Sequence, residues 1–367
     1  MDDLVQDLFL RLSPELVEVF FRLPPADPAC LVRASAVCKP WRRILADAGF
    51  RRRYREFHGT PPVLGHLQQG SRFLGKGPRV LPTSALFPAQ PDLPGWLAMD
   101  CRHGRALLAQ IGEKCLLMVL DPVTGHRRVV APPSNYPQVS FNAAVLCAAQ
   151  GCDHHGCQGG HFHLVAVSTI LPGRVTSGWM YSSETRAWAE LASLHHHDDK
   201  CPFSLAAPSV LVGDALYFDV GGGSGIVECQ LGALRMSMLK KPIAGKGCLM
   251  AAQDGRLGFI AVVDVTNLSL WSMETGPEGA MGWAKLRMVD LRTLLLDGDP
   301  WIPAPSDGII GVAGATQIIY ARTSDGTYMV DLKSGGVRKV SGVSTRVFPY
   351  MRFYIPAMEA ACTGQGQ

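Results

Sequence analysis

Three proline-marked helix starts divide the stretch Leu12–Phe50, LSPELVEVFFRLPPADPACLVRASAVCKPWRRILADAGF, into short segments. Pro14, Pro28 and Pro40 each precede apolar residues at helical spacing. Proline is favoured in the first turn of a helix, because its missing N–H would have no intrahelical partner there and its φ is already helical. The sequence therefore predicts three helices, the last of which ends at Gly49.

The three predicted helices form too small a unit to fold alone. One apolar stripe with i, i+3, i+4 and i+7 spacing consists of Leu16, Val19, Phe20 and Leu23. Such a short segment cannot bury enough apolar surface to offset the entropy of its chain, so we expect a partner or a neighbouring domain to cover it. Phe20 and Phe21 are adjacent, and we expect one of them to enter the core while the other faces a partner.

Short apolar runs separated by turns replace the helical pattern beyond residue 94. Five strand–turn–strand units recur at a period of roughly 45–60 residues, the range expected for propeller blades. They span residues 116–133, 179–188, 226–239, 268–286 and 328–340. Another strand pair precedes each unit, so four strands are expected in each blade. Closure of the blades into a ring removes exposed sheet edges.

We expect the ring to close with a composite sixth blade. Its strands would come from residues 63–81 and 347–355, which lie far apart in the chain. The predicted fold class is α+β multidomain, in which a small three-helix module precedes an all-β propeller of six blades, with seven as the alternative. The predicted boundaries are 1–57 for the helical module, 58–94 for a Pro/Gly-rich transition that partly contributes to the closing blade, 95–357 for the propeller and 358–367 for a disordered tail.

The composition argues against nucleic-acid and membrane partners. The net charge of +4 is small for 367 residues, whereas a nucleic-acid-binding domain usually carries a strongly basic face. No apolar run reaches the length of about 18 residues that indicates a membrane span. The start, Met1-Asp2-Asp3-Leu4, lacks the regions of a secretory signal. The 11 cysteines are therefore expected to be reduced, in the cytoplasm and/or nucleus.

A group of cysteine and histidine residues is the sharpest candidate for a metal site. It comprises Cys152, His154, His155, Cys157, His161 and His163. Thiolate and imidazole are good zinc ligands, but this spacing fits no compact zinc module. A solvated loop is the preferred interpretation and zinc the alternative, so no metal or cofactor is predicted. The sequence contains neither a Gly-x-Ser-x-Gly elbow nor a His-Glu-x-x-His motif, and no enzyme activity is expected.

The N-terminal motifs resemble those of the F-box family. This resemblance is carried by residues 12–16 (LSPEL), 23–24 (LP), 37–43 (VCKPWRR) and Phe50. It implies a module that docks on a Skp-type adaptor and, through it, on a cullin-based ubiquitin ligase. Ser13 stands where the family usually has proline, and Pro14 follows one position later. This departure affects the contact that the proline ring normally makes with the adaptor.

The strand repeats resemble the β-propeller that follows the F-box in a large plant group, especially in grasses. This resemblance is carried by residues 121–125 (DPVTG), 212–217 (VGDALY), 331–334 (DLKS) and 348–350 (FPY), among others. It implies an interaction platform whose target protein the sequence does not identify.

Together the two resemblances imply a non-catalytic substrate receptor of an SCF-type (Skp–cullin–F-box) ubiquitin ligase. The helical module would bind the adaptor, either directly or by shaping the surface, through Leu12, Pro14, Leu16, Phe20, Leu31 and Trp41. The propeller would hold a target protein for ubiquitination. The alternative is a protein-interaction scaffold that does not use the adaptor.

Overall fold

The computed structural model describes residues 14–70, 75–84, 92–110, 115–133, 141–150, 152, 154, 157, 159–170, 175–195, 207–220, 225–245, 247–252, 254–264, 267–276, 280–291 and 308–353. Leu12 and the tail predicted for residues 358–367 lie outside them, as do the side chains of Pro14 and Leu16.

Four short helices begin the described chain. They are α1 Pro14–Phe21, α2 Pro28–Val37, α3 Lys39–Ala46 and α4 Ala48–His58. The prediction of three helices with an end at Gly49 is wrong. The Asp47 carboxylate accepts a hydrogen bond from the Phe50 N–H at 2.8 Å, so it caps a fourth helix that continues past Gly49. None of the described helices is long and apolar enough to cross a lipid bilayer.

The other helix starts follow the predicted proline chemistry. Helices α1 and α2 begin at Pro14 and Pro28, and Pro40 is the second residue of α3. The Asp27 carboxylate caps α2 by accepting a hydrogen bond from the Ala29 N–H at 3.2 Å. Each proline therefore lies in a first turn, where the missing N–H removes no intrahelical hydrogen bond.

Within the described residues, antiparallel strands form six sheets after the helices. The closing blade contains β1 Val63–Gln69, β2 Pro78–Pro82 and β23 Arg346–Met351. Blade 1 contains β3 Trp96–Arg102, β4 Arg105–Gln110, β5 Leu116–Leu120 and β6 Arg127–Val130. Blade 2 contains β7 Phe141–Cys147, β8 Phe162–Ile170, β9 Val175–Ser182 and β10 Ala187–His195.

The remaining three blades repeat the four-stranded pattern. Blade 3 contains β11 Val210–Val212, β12 Ala215–Asp219, β13 Gly225–Gln230 and β14 Arg235–Lys240. Blade 4 contains β15 Cys248–Ala251, β16 Leu257–Val262, β17 Asn267–Thr275 and β18 Met281–Asp290. Blade 5 contains β19 Ile309–Val312, β20 Ile318–Arg322, β21 Thr327–Asp331 and β22 Val337–Ser341. The prediction of a six-bladed propeller is confirmed, and the five predicted repeats are the outer strand pairs of blades 1 to 5.

The innermost strands of the blades form a closed ring. Strand β23 contacts β3 on one side and β19 on the other, and further contacts join β3 to β7, β11 to β15 and β15 to β19. Between blades 2 and 3, the Asn142 amide of β7 donates a hydrogen bond to the Ala207 carbonyl at 2.8 Å. Every joint of the ring therefore has a direct contact.

The closing blade joins residues from both ends of the propeller. Strand β1 pairs with β2 on one side and with β23 on the other, so that Leu67 lies opposite both Val80 and Phe348. These three side chains are buried together with Leu108 of blade 1. The apolar contact between the closing blade and blade 1 therefore depends on the C-terminal strand.

Buried polar side chains hold neighbouring blades in register. The Gln69 side-chain oxygen accepts a hydrogen bond from the Ala98 N–H at 2.9 Å, and the Asp100 carboxylate accepts one from the Val145 N–H at 2.9 Å. Burial raises the pKa of Asp100, because a low-dielectric interior disfavours its charge, while Arg102 opposes this shift. The Arg102 Nε lies 2.8 Å from the Asp100 carboxylate.

Tryptophans on outermost strands link adjacent blades at the rim. The Trp188 Nε1–H of blade 2 donates to the Ala131 carbonyl, which follows β6 of blade 1, at 2.8 Å. The Trp283 Nε1–H of blade 4 donates to the Lys240 carbonyl of blade 3 at 2.7 Å. These two tryptophans therefore contribute to the contacts between blades.

His66 is a buried histidine at the joint between the closing blade and blade 5. It is 3% exposed and makes an edge contact with the Tyr320 ring of β20 at 5.3 Å. Burial, together with the positive charge of Arg338, lowers the pKa of His66 to about 4. The folded state therefore favours the neutral imidazole.

We expect acid to destabilise the propeller through His66. An unfolded histidine has a pKa of about 6.5, so the unfolded state takes up the proton first as the pH falls. The stability gained from the neutral imidazole is fully present above about pH 6.5 and is lost towards about pH 4, by roughly 3 kcal/mol in total. His66→Gln should remove this part of the pH dependence of the urea-unfolding free energy. The matched variant of the exposed His126, His126→Gln, should retain it; identical slopes for His66→Gln and the unmodified chain would contradict the assignment.

Candidate functional site

The core of the helical module buries both residues of the aromatic pair that the sequence places side by side. Phe20 is 2% exposed and packs edge-on against Trp41, with ring centroids 5.1 Å apart. Phe21 is 6% exposed and stacks on Phe50 at 5.1 Å. The expectation that one of the pair faces a partner is therefore wrong. Adjacent helical residues point about 100° apart, and the unpredicted helix α4 covers the second direction.

The propeller completes this core through Phe353, which follows β23 and is 1% exposed. Phe353 belongs to the same buried cluster as Phe20, and its ring meets the Tyr54 ring edge-on at 6.1 Å. The Tyr54 hydroxyl donates a hydrogen bond to the Leu23 carbonyl at 2.8 Å, and burial raises the pKa of this hydroxyl. The neighbouring domain that covers the helices is therefore the propeller itself.

The predicted adaptor-binding residues take different positions in the module. Phe20 and Leu31 are 2% and 0% exposed, so they shape the helices from within. Trp41 is half-buried against the same core. Outside the described residues lie Leu12 and the side chains of Pro14 and Leu16.

Two other apolar side chains, on the described residues of α1 and α2, project into solvent. Val19 on α1 is 55% exposed, and Val37 at the end of α2 is 62% exposed. Lys39 and Arg42 of α3 follow Val37 along the chain and are also exposed. Sequence reasoning missed Val19 and Val37 as surface residues, because apolar spacing groups Val19 with the core and only the packing separates them. An apolar contact with a charged rim is the usual composition of a protein interface.

A cavity of about 260 Å³ is lined by innermost strands of several blades. Its lining includes Pro61, which leads from α4 into β1, and residues of the inner strands such as Met250 and Met351. Arg102 also lines the cavity, but its guanidinium donates to the Ser209 carbonyl at 2.6 Å and its charge is paired with a carboxylate. The cavity therefore presents mainly apolar groups.

The structure brings three of the predicted cysteine and histidine residues close to one further cysteine, Cys147, that was not in the predicted group. We call this group the Cys–His cluster; its members are Cys147, Cys152, His154 and Cys157. His161 and His163 are not part of it, and the His163 Nδ1 lies 3.3 Å from the Tyr181 carbonyl instead. His155 lies outside the described residues.

Comparison with protein families agrees with the geometry of the helices. Residues 2–53 match the family model of the F-box domain. The chain carries an F-box domain. This F-box domain includes α1, α2, α3 and the start of α4, and the Phe353 ring packs into its core from the propeller side.

Several solved structures are similar to this chain at low sequence identity. TolB from Acinetobacter baumannii is 11% identical with a TM-score of 0.45, over 81% of this chain and 68% of that chain. A nidogen/laminin complex is 11% identical with a TM-score of 0.44, over 77% and 96%. U3-55K is 11% identical with a TM-score of 0.42, over 73% and 75%. No curated protein sequence matches this chain. At these values the similarity identifies neither a ligand nor a partner.

We expect Phe353→Ala to loosen the F-box domain while leaving the propeller folded. Removal of a buried aromatic ring costs about 3–5 kcal/mol, and this ring is shared between the two parts of the chain. Hydrogen exchange should therefore become faster in α1 to α4 but not in β7 to β18. The matched control Val343→Ala, at a side chain 55% exposed, should change neither region. Unchanged exchange of the helices in Phe353→Ala would show that their stability does not depend on the propeller.

Proposed function

We propose that this chain is the substrate-recognition subunit of an SCF-type ubiquitin ligase. F-box domains generally bind Skp-type adaptors within cullin complexes. The observation that carries the proposal is the F-box match over residues 2–53, on helices that pack against a β-propeller. This combination fits an F-box substrate receptor of SCF ligases in general.

The adaptor is proposed to dock on the exposed apolar surface of the F-box domain. Val19 and Val37 are the large apolar side chains that the described helices α1 and α2 expose most, and Trp41 contributes its half-buried ring. Lys39 and Arg42 favour an acidic partner surface, because opposite charges across an interface speed association and disfavour wrong partners. An acidic surface on a Skp-type adaptor would suit this arrangement.

The residues named from sequence keep two different roles in this proposal. Leu12, Pro14 and Leu16 remain predicted adaptor-binding residues at the start of the F-box domain. Phe20 and Leu31 support the docking surface from the core, because both are almost completely buried.

The ligase role requires a fixed distance between the adaptor and the target protein. The Phe353 ring ties the propeller to the F-box domain by packing into the helical core. The Arg352 N–H donates a hydrogen bond at 3.2 Å to the carbonyl of Pro62, which lies between α4 and β1. A rigid joint raises the effective concentration of a bound target near the ubiquitin-conjugating enzyme. The chain is proposed to act by this positioning and to contribute no catalytic group.

The target is proposed to be a protein bound by the propeller, in the cytoplasm and/or nucleus. Support for a plant receptor of the grass type comes from the motif resemblance alone. Proximity labelling with the full chain under proteasome block identifies candidates. True targets should accumulate under the block, and their ubiquitination should fall when adaptor docking is disrupted.

Charged substitutions on the exposed surface should weaken adaptor binding without unfolding the chain. Val19→Asp and Val37→Asp, tested separately, are each expected to weaken binding of a purified Skp-type adaptor at least about tenfold, because burial of an unpaired charge costs more than about 1.4 kcal/mol. Calorimetry on the full chain measures the affinity, and thermal melting checks the fold. Val343→Asp, at a similarly exposed valine of the propeller, should bind normally.

The results also separate the ligase role from its alternative. Unchanged affinity in both variants would move the docking surface away from Val19 and Val37. If the unmodified chain does not bind the adaptor, the adaptor-independent scaffold replaces the ligase receptor.

Leu31→Ala distinguishes support of the surface from direct contact. Because Leu31 is 0% exposed, its truncation should destabilise the F-box domain by about 2–5 kcal/mol. Adaptor binding should fall only to the extent that the domain unfolds, and cooling or a stabilising osmolyte should restore it. Weak binding by a fully folded Leu31→Ala chain would instead indicate a direct contact.

A further inference from the structure

The connection between β7 and β8 gathers three thiols and one imidazole. Cys147 is the last residue of β7, and the other three members of the Cys–His cluster lie in the connection. The Cys157 Sγ lies 3.4 Å from the Cys152 Sγ and 3.6 Å from the His154 Nδ1. All four candidate ligand atoms lie within 4.8 Å of one another.

We propose that the Cys–His cluster binds one zinc ion as a closed structural site. Zinc–sulfur bonds of about 2.3 Å in a tetrahedral arrangement place two sulfurs about 3.8 Å apart, and a sulfur and a nitrogen about 3.5 Å apart. The observed sulfur–nitrogen separation of 3.6 Å matches the second value, and the sulfur–sulfur separation of 3.4 Å is shorter than the first but much longer than the roughly 2.05 Å of a disulfide. Four protein ligands leave no open coordination position, which makes the site structural.

The turn between β3 and β4 of blade 1 holds two of the ligands. His103 in this turn accepts a hydrogen bond at its Nδ1 from the Cys147 N–H at 3.0 Å. The same ring stacks on the His154 ring, with centroids 4.3 Å apart and planes inclined by 20°. Such outer contacts fix the orientation of metal ligands, as they do in established zinc sites.

Gly104 allows the third ligand to approach the same turn. A side chain at this position would place its Cβ 2.8 Å from the Cys157 carbonyl oxygen, and the backbone has a φ of +71° that favours glycine. The next residue, Arg105, is 6% exposed and donates hydrogen bonds to the Gly159 and Gly160 carbonyls at the end of the connection. Three successive residues of blade 1 therefore hold the ligand-bearing connection of blade 2.

The charge of the surroundings suits a zinc–thiolate site. Three thiolates and a neutral imidazole around Zn²⁺ carry a net charge of about −1, which would be costly to bury alone. The Arg105 guanidinium, fixed against the adjoining glycine carbonyls and 5.8 Å from the Phe162 ring centre, provides a nearby positive charge. The site thus has a compensating cation.

The position of the cluster gives the metal a structural consequence. A Cβ at Gly104 would also lie 3.7 Å from the Arg352 side chain, and Arg352 immediately precedes the phenylalanine that enters the F-box core. Zinc would therefore stiffen blades 1 and 2 beside the joint with the F-box domain. Zinc binding by this cluster does not depend on adaptor binding.

The experiment measures metal in the full chain. Protein from zinc-supplemented cells, purified without chelator, should contain about one zinc per chain by elemental analysis. Cys147→Ser and Cys157→Ser should each lose it, while Cys30→Ser, at a half-buried cysteine of the F-box domain, should retain it. Replacement by Co²⁺ should give the visible absorption of a tetrahedral site and a thiolate charge-transfer band, both lost in the two cluster variants.

A second measurement uses the unmodified chain, so its result does not depend on whether a variant folds. Chelation of the unmodified chain should lower its melting temperature, and added zinc should restore it, because the ion binds the folded state. Absence of zinc from the purified chain would overturn the site. Retention of zinc in both folded cluster variants would place the ion elsewhere, and a Cys152–Cys157 disulfide found by peptide mapping would replace the metal site by a redox pair.

Discussion

The pairing of β23 with β1 is the constraint on which the rest of the structure depends. It places Phe348 opposite Leu67 and closes the ring, with β23 as the inner strand between blades 5 and 1. Without this pairing, blades 1 and 5 would expose the inner strands that β23 now contacts. An exposed sheet edge is a liability, and the radial packing of blades leaves only short, protected edges.

The same strand also determines how the F-box domain is held. Phe353 lies two residues beyond Met351, the end of β23, and enters a core formed by four helices at the other end of the chain. The helices are individually short, and a module of this size has little apolar surface of its own. Its stability is therefore linked to closure of the propeller. A receptor that positions a target benefits from this link, since a loose joint would lower the effective concentration of the target.

The predictions succeeded where local chemistry specifies the structure. Pro14 and Pro28 mark helix starts because proline fits the first turn, and the strand repeats define blades because short apolar runs alternate with turns. The predictions failed where the packing of another helix determines whether a residue is buried or where a helix ends. Asp47 starts a fourth helix instead of allowing an end at Gly49, and that helix provides the Phe50 surface that buries Phe21. The apolar pattern could not reveal this, because it records no direction of packing.

Part of the Cys–His cluster could likewise be identified from local sequence, and part of it only from the tertiary structure. The sequence by itself indicated an F-box domain followed by a propeller, with six blades preferred to seven, and it identified Cys152, His154 and Cys157 as good ligand types. Only the tertiary structure added Cys147, because a strand-end cysteine is indistinguishable from a core residue until the connection folds back on it. Likewise, only the packing separated exposed Val19 from buried Phe20. The spacing of apolar residues along a chain indicates the period of a helix or strand. The exposure of a side chain, and its distance from residues elsewhere in the chain, depend on the elements that pack against it.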